Sequence, residues 1–413
     1  MSPTKSSLTP NSQSPPPAPR TGDVPRTVWV LGFGSLFMDV SSEMIHSLLP
    51  VFMVTGLGAS AFAVGIVEGV AEATALIVRV FSGTLSDYMG RRKPLIVLGY
   101  GLGAAAKPLF ALALSVHWVF VARFMDRIGK GIRGSPRDAL IADVTPAGVR
   151  GAAYGLRQSL DTIGGFLGPL LAIALMLLFA GNFHAVFWVA VIPGVISVAL
   201  FVFGIHEAER AQGVTAVRPP LELALVKTLP AAFWWVVIAG GVFTLARFSE
   251  AFLLLRAQQQ GLPDAYVPLV LVLMNAVFAL TAYPMGRLAD RVIPTALLAA
   301  GLAVLVAADV VLALSPGLAT TAVGIALWGL HMGMTQGVLA ALVAANAPAG
   351  VRGTAFGLFY LVSGGAMLIA SVVAGALWDA YGAPATFFAG AGFTVAAFAL
   401  FLAGRFSAGA ARA

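Results

Sequence analysis

The 413-residue sequence contains no cysteine, so disulfide bonds, thiolate metal sites and cysteine nucleophiles are excluded together. Charged residues are also scarce, since they make up 10% of the chain against 59% hydrophobic residues. Soluble globular proteins carry about 25% charged residues. This composition, with a mean hydropathy of +0.91, therefore predicts a polytopic membrane protein.

Several functional motifs are missing as well. The sequence has no GxxxxGK[ST] phosphate loop and no catalytic-triad or metal-hydrolase motif, which argues against ATP-driven transport and against an enzyme. No cofactor or metal site is expected. The run 331–334 (HMGM) could offer soft ligands to copper, but methionines in such a run are more often packing residues. The net charge of +7 reflects membrane topology rather than nucleic-acid binding.

Twelve apolar segments between residues 28 and 405 are long enough to span a bilayer, which takes about 20 residues each. Most basic residues of the loops fall on the side of the N-terminus, so the positive-inside rule places both termini in the cytoplasm. We expect an all-α membrane protein of twelve transmembrane helices in the cytoplasmic (inner) membrane of a prokaryote. Its expected parts are a disordered tail (1–26), a six-helix bundle (27–205), a cytoplasmic linker (206–230), a second six-helix bundle (231–405) and a tail (406–413).

The two halves share an internal repeat. The sequence PAGVRGAAYGL at 146–156 recurs as PAGVRGTAFGL at 348–358, and GTLSD at 83–87 recurs as GRLAD at 286–290. Six spans return the chain to its starting side, so both bundles are predicted to have the same orientation in the membrane.

The stretch 123–143 (RFMDRIGKGIRGSPRDALIAD) is highly charged although apolar spans surround it. On a helix its charges fall within an arc of about 120°, at Arg123, Asp126, Arg127, Lys130, Arg133 and Arg137. Ionisable groups in a bilayer are costly unless paired or hydrated, so this stripe is expected to line a pathway or form a conformational lock.

Acidic residues inside the spans belong mostly to the first half. The second half contributes only two, Glu250 and Asp309, and one base, Arg247. Carboxylates that share a buried centre can exchange protons. The candidate proton-coupling and substrate-cavity residues are Asp39, Glu43, Glu68, Glu72, Arg123, Asp126, Arg127, Lys130, Asp161, Arg247 and Glu250. A static salt-bridge network that fixes helix register is the alternative.

The run 83–93 (GTLSDYMGRRK) resembles the signature between the second and third helices of the major facilitator superfamily. The resemblance implies that Asp87 and Arg91 gate the transporter, Asp87 near a helix N-terminus of the opposite half and Arg91 by pairing with an acid on another helix. Arg92 and Lys93 are interpreted as topogenic charges. The candidate gating residues are Gly83, Asp87, Gly90, Arg91, Asp138, Asp143, Arg150, Gly286, Asp290 and Arg352.

Gly155, Gly164, Gly168 and Pro169 resemble the antiporter signature of that family, although Ala172-Ile173 stands where the signature continues with two glycines. The resemblance implies a kinked fifth helix packed at the interface of the halves. Arg123 matches the family's fourth-helix arginine associated with proton coupling, and the sequence around it resembles a prokaryotic branch with some members linked to metal resistance.

This resemblance implies a secondary transporter, with proton-coupled efflux (antiport) of a small molecule or ion by alternating access as the leading hypothesis. Uptake of an anionic or metal-chelate solute is the alternative, and a non-transporting membrane sensor is a remote one. The expected partners are the solute, protons and the lipid bilayer; the protein is expected to be a monomer and to bind no nucleic acid.

Overall fold

The computed structural model describes residues 24–205, 229–289, 294–347 and 352–410, which fold into long helices. The first half comprises α1 (Arg26–His46), α2 (Ala61–Met89), α3 (Lys93–Ala111), α4 (Val116–Val144), α5 (Arg150–Leu178) and α6 (Phe183–Gly204). The second half comprises α7 (Ala231–Ala246, resuming as Ala251–Gln259), α8 (Leu269–Ala289), α9 (Pro294–Leu314), α10 (Leu318–Asn346), α11 (Arg352–Tyr381) and α12 (Ala383–Ala410). The expected all-α membrane architecture of twelve helices is confirmed.

Eleven helical segments of the described chain are long and apolar enough to cross a membrane. The remaining helix, α4, has the length of α2 and α5 at 29 residues, but its composition is too charged to meet the same criterion. It packs against α2 and α3. Its charges therefore meet protein groups instead of lipid.

Polar residues at the helix ends define where the helices begin and turn. The Ser60 hydroxyl accepts a hydrogen bond from the Ala63 amide at 3.2 Å and so caps α2, and the Asn182 side chain caps α6 in the same way. Gly90 ends α2 in the left-handed conformation, with φ of 65°. A residue with a Cβ is strained there, which explains the glycine in the loop signature.

The second half repeats the helix packing of the first. In the first half α1 packs on α5 and α6, α2 on α4, and α3 on α4 and α6. In the second half α7 packs on α11 and α12, α8 on α10, and α9 on α10 and α12. Each helix thus has the same partners as its counterpart six positions earlier, as the internal sequence repeat predicts.

The halves meet along two helix pairs, α2 with α11 and α5 with α8. Small residues allow the first pair to approach closely: a Cβ on Gly375 would lie 2.5 Å from the Ala61 carbonyl oxygen, and one on Gly65 would overlap the Ser371 carbonyl. Asp379, at the end of α11, accepts hydrogen bonds from the Ala61 and Phe62 amides at 3.0 and 2.9 Å. The second half therefore caps a helix of the first.

Helix α7 is interrupted at residues 247–250, where the sequence (RFSE) contains neither proline nor glycine. The Ser249 hydroxyl accepts a hydrogen bond from the Ala251 amide at 3.2 Å, and the Ser371 hydroxyl accepts one from the Ser249 amide at 3.2 Å. These side chains replace bonds that a continuous helix would make. Non-helical backbone is tolerated within a membrane where it lines a cavity.

Candidate functional site

A cavity of about 570 Å³ lies between the two halves, and the interruption of α7 forms part of its wall. Its lining comes from α1, α2, α4 and α5 of the first half and from α7, α8, α10 and α11 of the second. The lining includes His46, five acidic residues and six Lys or Arg residues: Asp39, Glu43, Glu72, Asp161, Glu250, Arg79, Arg127, Lys130, Arg133, Arg137 and Arg247.

A buried ion cluster joins α1, α2 and α4 beside this cavity. Arg123 donates to the Glu68 carboxylate at 2.7 Å, and both side chains are almost completely buried. His46 links Glu68 to Glu43, with nitrogen–oxygen distances of 3.6 Å and 3.5 Å. The imidazole therefore connects a buried carboxylate to one that lines the cavity.

The cluster continues along α4 towards α3. Arg127 pairs with Glu72 at 3.1 Å and lies 3.6 Å from Asp126. Lys107 donates to Asp126 at 2.8 Å and to Ser42 at 2.9 Å, and it is 1% exposed. Lys107 was absent from the sequence candidates, although a lone lysine in an apolar span is the signal that identifies such residues.

A second cluster joins α2, α4 and α5. Asp138, expected in a gate, accepts hydrogen bonds from Arg157 at 2.9 Å and Arg79 at 3.2 Å. Arg157 also pairs with Asp161 at 3.1 Å, and Arg137 lies 3.8 Å from the same carboxylate. Asp138 and Asp161, which the sequence assigned to different roles, are therefore parts of one network.

The charged stripe predicted on α4 is divided between two neighbouring helices. Arg123 and Arg127 pair with acids of α2, whereas Asp126 pairs with Lys107 of α3 and Arg133 lies 4.2 Å from the Tyr100 ring of the same helix. Lys130 lies between them and is exposed to the cavity.

Among the described residues, and apart from Arg133, which lies 4.2 Å from the Tyr100 ring, four charged cavity-lining side chains have neither an ion pair nor a side-chain hydrogen bond. Two come from the first half, Asp39 and Lys130, and two from the interruption of α7, Arg247 and Glu250; Arg247 has only the Phe243 ring, at 5.7 Å. These four charges remain available to a ligand.

Several residues of the loop signature make ion pairs within the first half. Asp87 pairs with Arg92 at 2.5 Å, and Arg92 also contacts Ser86 and lies 3.4 Å from Asp143. Among the described residues Asp87 therefore contacts its own half, and its contact with the opposite half stays a prediction. Arg92 is 5% exposed, so the expectation that it serves topology alone is wrong.

The remaining gating candidates occupy several settings. Lys93 donates to the Val202 and Ile205 carbonyls at 2.8 and 2.7 Å, which gives this expected topogenic residue a structural contact with α6. Arg150 donates to the Thr145 carbonyl at 3.2 Å, and Gly83 lies near Ser135. A Cβ on Gly286 would meet no atom of the described residues within 4 Å, and Arg352 begins α11. Asp290 lies outside the described residues.

Gly164 and Gly168 of α5 pack against α1 of the same half, while α5 itself also contacts α8 of the second half. A Cβ on Gly164 would lie 2.9 Å from the Asp39 Cβ, and one on Gly168 would lie 2.6 Å from the Glu43 Cβ. Gly155 has open space around it, and Pro169 is buried within α5. Two of these glycines thus position the cavity-lining acids of α1.

Comparison with known proteins identifies the family. A family model described as Major Facilitator Superfamily matches residues 31–371 and, overlapping them, 251–412. The chain belongs to the major facilitator superfamily. An uncharacterized MFS-type transporter of Methanocaldococcus jannaschii is 30% identical to it over 362 residues, which cover 86% of this chain and 89% of that protein. The chain is therefore a multi-pass secondary transporter and not an enzyme.

Two further similarities are more distant. The multidrug resistance protein MdtH of Yersinia pestis is 24% identical over 265 residues, 64% of each chain. The crystal structure of the nucleoside transporter NupG superimposes with a TM-score of 0.76, covering 91% of this chain and 99% of that one, at 14% identity. That similarity establishes a shared major facilitator fold and leaves the substrate open.

Proposed function

We propose that this transporter exports a small molecule or ion in exchange for protons, by alternating access to the cavity between its halves. The observation that carries the proposal is the continuity between cavity and buried charge network: Glu43 faces the cavity and is linked through His46 to the Glu68–Arg123 pair. Ionisable residues in this setting are the usual components of proton relays.

Alternating access requires one end of the cavity to be closed at a time. At the end that contains Gly58, α2 packs on α11, Asp379 caps α2, and the segment Leu49–Val51 contacts Ala251–Gln259. The opposite end carries Arg91, Arg92 and Lys93, so the positive-inside rule supports a cytoplasmic location for it. We therefore assign this conformation as closed to the outside, with both termini in the cytoplasm.

Proton coupling follows from competition within the ion cluster. Protonating Glu68 removes the charge that Arg123 neutralises, so Arg123 becomes free to pair elsewhere, for instance with Glu72 at its present 3.9 Å. A solute that binds the same charges then competes with the proton. The five acids that line the cavity are candidates for the same exchange: Asp39, Glu43, Glu72, Asp161 and Glu250.

Export is favoured over uptake by the partial antiporter motif and by the similarity to a multidrug resistance protein. Uptake of an anionic or chelated solute, drawn by Lys130, Arg133 and Arg137, has less support. Arg137 is already close to Asp138 and Asp161, and Arg133 lies over Tyr100, so only Lys130 of these three remains without a partner among the described residues.

The test is solute-dependent proton movement in everted membrane vesicles that contain the full chain. A panel of drugs, metal ions and organic acids is added after an imposed proton gradient is recorded with a pH-sensitive dye. We expect at least one solute to dissipate the gradient with the wild type and with Asp264→Asn, a loop control, and much less with Glu68→Gln. If the solute accumulates only in intact cells, and not in everted vesicles, the export proposal is overturned.

A further inference from the structure

The cavity presents unpaired charges of both signs, and they point to the class of solute. We propose that the transported solute is a small zwitterion with an apolar body, held by charges from both halves at once. This inference rests on the proposed function of the same cavity and adds the substrate class to it.

The first observation is the set of charges without partners. Most ionisable residues around the cavity are paired, yet Asp39 and Lys130 of the first half and Arg247 and Glu250 of the second have no ion pair among the described residues. An unpaired charge in a low-dielectric setting is costly, so a structure retains it where a ligand neutralises it. Apart from Arg133, which lies over the Tyr100 ring at 4.2 Å, each half offers one acid and one base.

The second observation is the near balance of charge in the lining, with five acidic residues against six Lys or Arg residues. A pathway for a simple cation or anion concentrates one sign of charge, since the summed field raises the local concentration of the opposite ion. A balanced cavity gains little from steering either ion. A solute that carries both charges satisfies both sets of side chains.

The third observation is an aromatic wall beside these charges. Phe248 and Trp328 line the cavity, with ring centroids 5.3 Å apart. The volume of about 570 Å³ is within the range of small-molecule sites, and apolar walls with a few polar groups are typical of them. The wall accommodates the hydrocarbon part of the solute, while its charged ends meet the acids and bases.

The placement of the charges also suggests how the solute promotes closure. Asp39 and Lys130 belong to helices of one half, whereas Arg247 and Glu250 belong to the other, so a bound zwitterion interacts with both halves. Its contacts improve when the halves approach, and a ligand shifts an equilibrium by its difference in affinity between the two states. A singly charged ion leaves the unpaired groups of its own sign without a partner.

Three probes with one carbon skeleton test the charge requirement with the wild-type full chain. L-phenylalanine is the zwitterion, L-phenylalanine amide is the cation and N-acetyl-L-phenylalanine is the anion. Binding to the purified transporter is measured by calorimetry at about pH 6, where the amino group of the amide is protonated and both carboxylates are ionised. We expect the zwitterion to bind at least about tenfold more tightly than either ion, because each ion lacks one of the two charged contacts.

Two variants assign the charges to their partners. Lys130→Gln should weaken the zwitterion and the anion but not the cation, and Glu250→Gln should weaken the zwitterion and the cation but not the anion. The Glu250 side chain makes no capping hydrogen bond to the helix that it precedes, so this substitution removes no cap. A purely structural role for either residue would weaken all three probes equally.

The outcomes separate this inference from the proposed function. Binding of either ion as tightly as the zwitterion, or no binding by any of the three, overturns the zwitterion inference. Proton-coupled export of a singly charged solute would leave the proposed function standing and exclude the substrate class. Zwitterion binding without proton-linked movement in vesicles would support the class and remove the proton coupling.

Discussion

The two halves of the molecule share one arrangement of helices but organise their polar residues in opposite ways. In the first half, acids and bases of α1 to α5 form two ion networks, from His46 and Glu68 at one end to Asp138 and Asp161 at the other. In the second half, the described interior is aromatic: Phe248 packs against Phe252, Trp328 and Phe387 at centroid distances of 5.3 to 5.6 Å.

The few buried polar residues of the second half also differ in kind. Asp309 and His331 are completely buried, and their side-chain oxygens and nitrogens have no hydrogen-bond partner among the described residues. Arg256 donates to the carbonyls of Leu312, Ala313 and Ser315 instead of to a carboxylate. The two halves thus share their helix packing, although only the first has these ion pairs among the described residues. The packing itself therefore does not require the ion pairs.

The largest expected effect is on the buried pair of the first half. Lys107→Met should destabilise the protein by about 3–5 kcal/mol, because it leaves the buried Asp126 carboxylate with only the longer contact to Arg127 at 3.6 Å. The double variant with Asp126→Asn should recover much of that loss. Thermal unfolding of the purified variants measures both.

The matched control for this prediction lies in the second half. Asp309→Asn replaces a buried carboxyl that has no partner among the described residues, so it strands no opposite charge and should change the melting temperature much less. Equal losses in Lys107→Met and Asp309→Asn would contradict the contrast between the halves.

An intermediate effect is expected where α5 contacts α1. Gly168→Ala places a methyl group 2.6 Å from the Glu43 Cβ, so either helix must shift, at a cost of about 1–3 kcal/mol. Gly155→Ala in the same helix adds a methyl group in open space and gains up to about 1 kcal/mol of helix propensity. Melting temperatures that move in opposite directions would support this contact, and equal shifts would refute it.

The smallest expected effect concerns the contact between the halves at Asp379. Asp379→Ala removes the cap that α11 provides for α2, which contributes about 0.5–2 kcal/mol and favours closure of this end. Ser60→Ala removes a cap of the same helix that lies within one half, so it should leave the closure equilibrium unchanged.

The cysteine-free sequence makes this measurement direct. Spin labels at Leu114→Cys and Tyr381→Cys, which are 85% and 77% exposed, report the distance between the halves at that end. Asp379→Ala should shift the equilibrium towards the longer distance by about two- to thirtyfold. The same increase in Ser60→Ala would show that helix capping alone, and not the link between the halves, controls closure.

The sequence by itself determined the membrane architecture, the repeat and the half that carries the charges. Apolar runs of about 20 residues have one stable solution in a bilayer, since a helix satisfies all its backbone groups internally. Helical periodicity also placed the charges of α4 on one side. These inferences depend on neighbours along the chain, which the sequence displays.

Only the tertiary structure decided which charges meet. The spacing along α4 could not show that Arg123 pairs with Glu68 and Asp126 with Lys107. Such pairing depends on the rotation and register of the neighbouring helices. Close contacts such as that of Gly168 with Glu43 set that register. The interruption of α7 likewise follows from contacts with another helix, where the Ser371 hydroxyl replaces a backbone partner that local sequence could not specify.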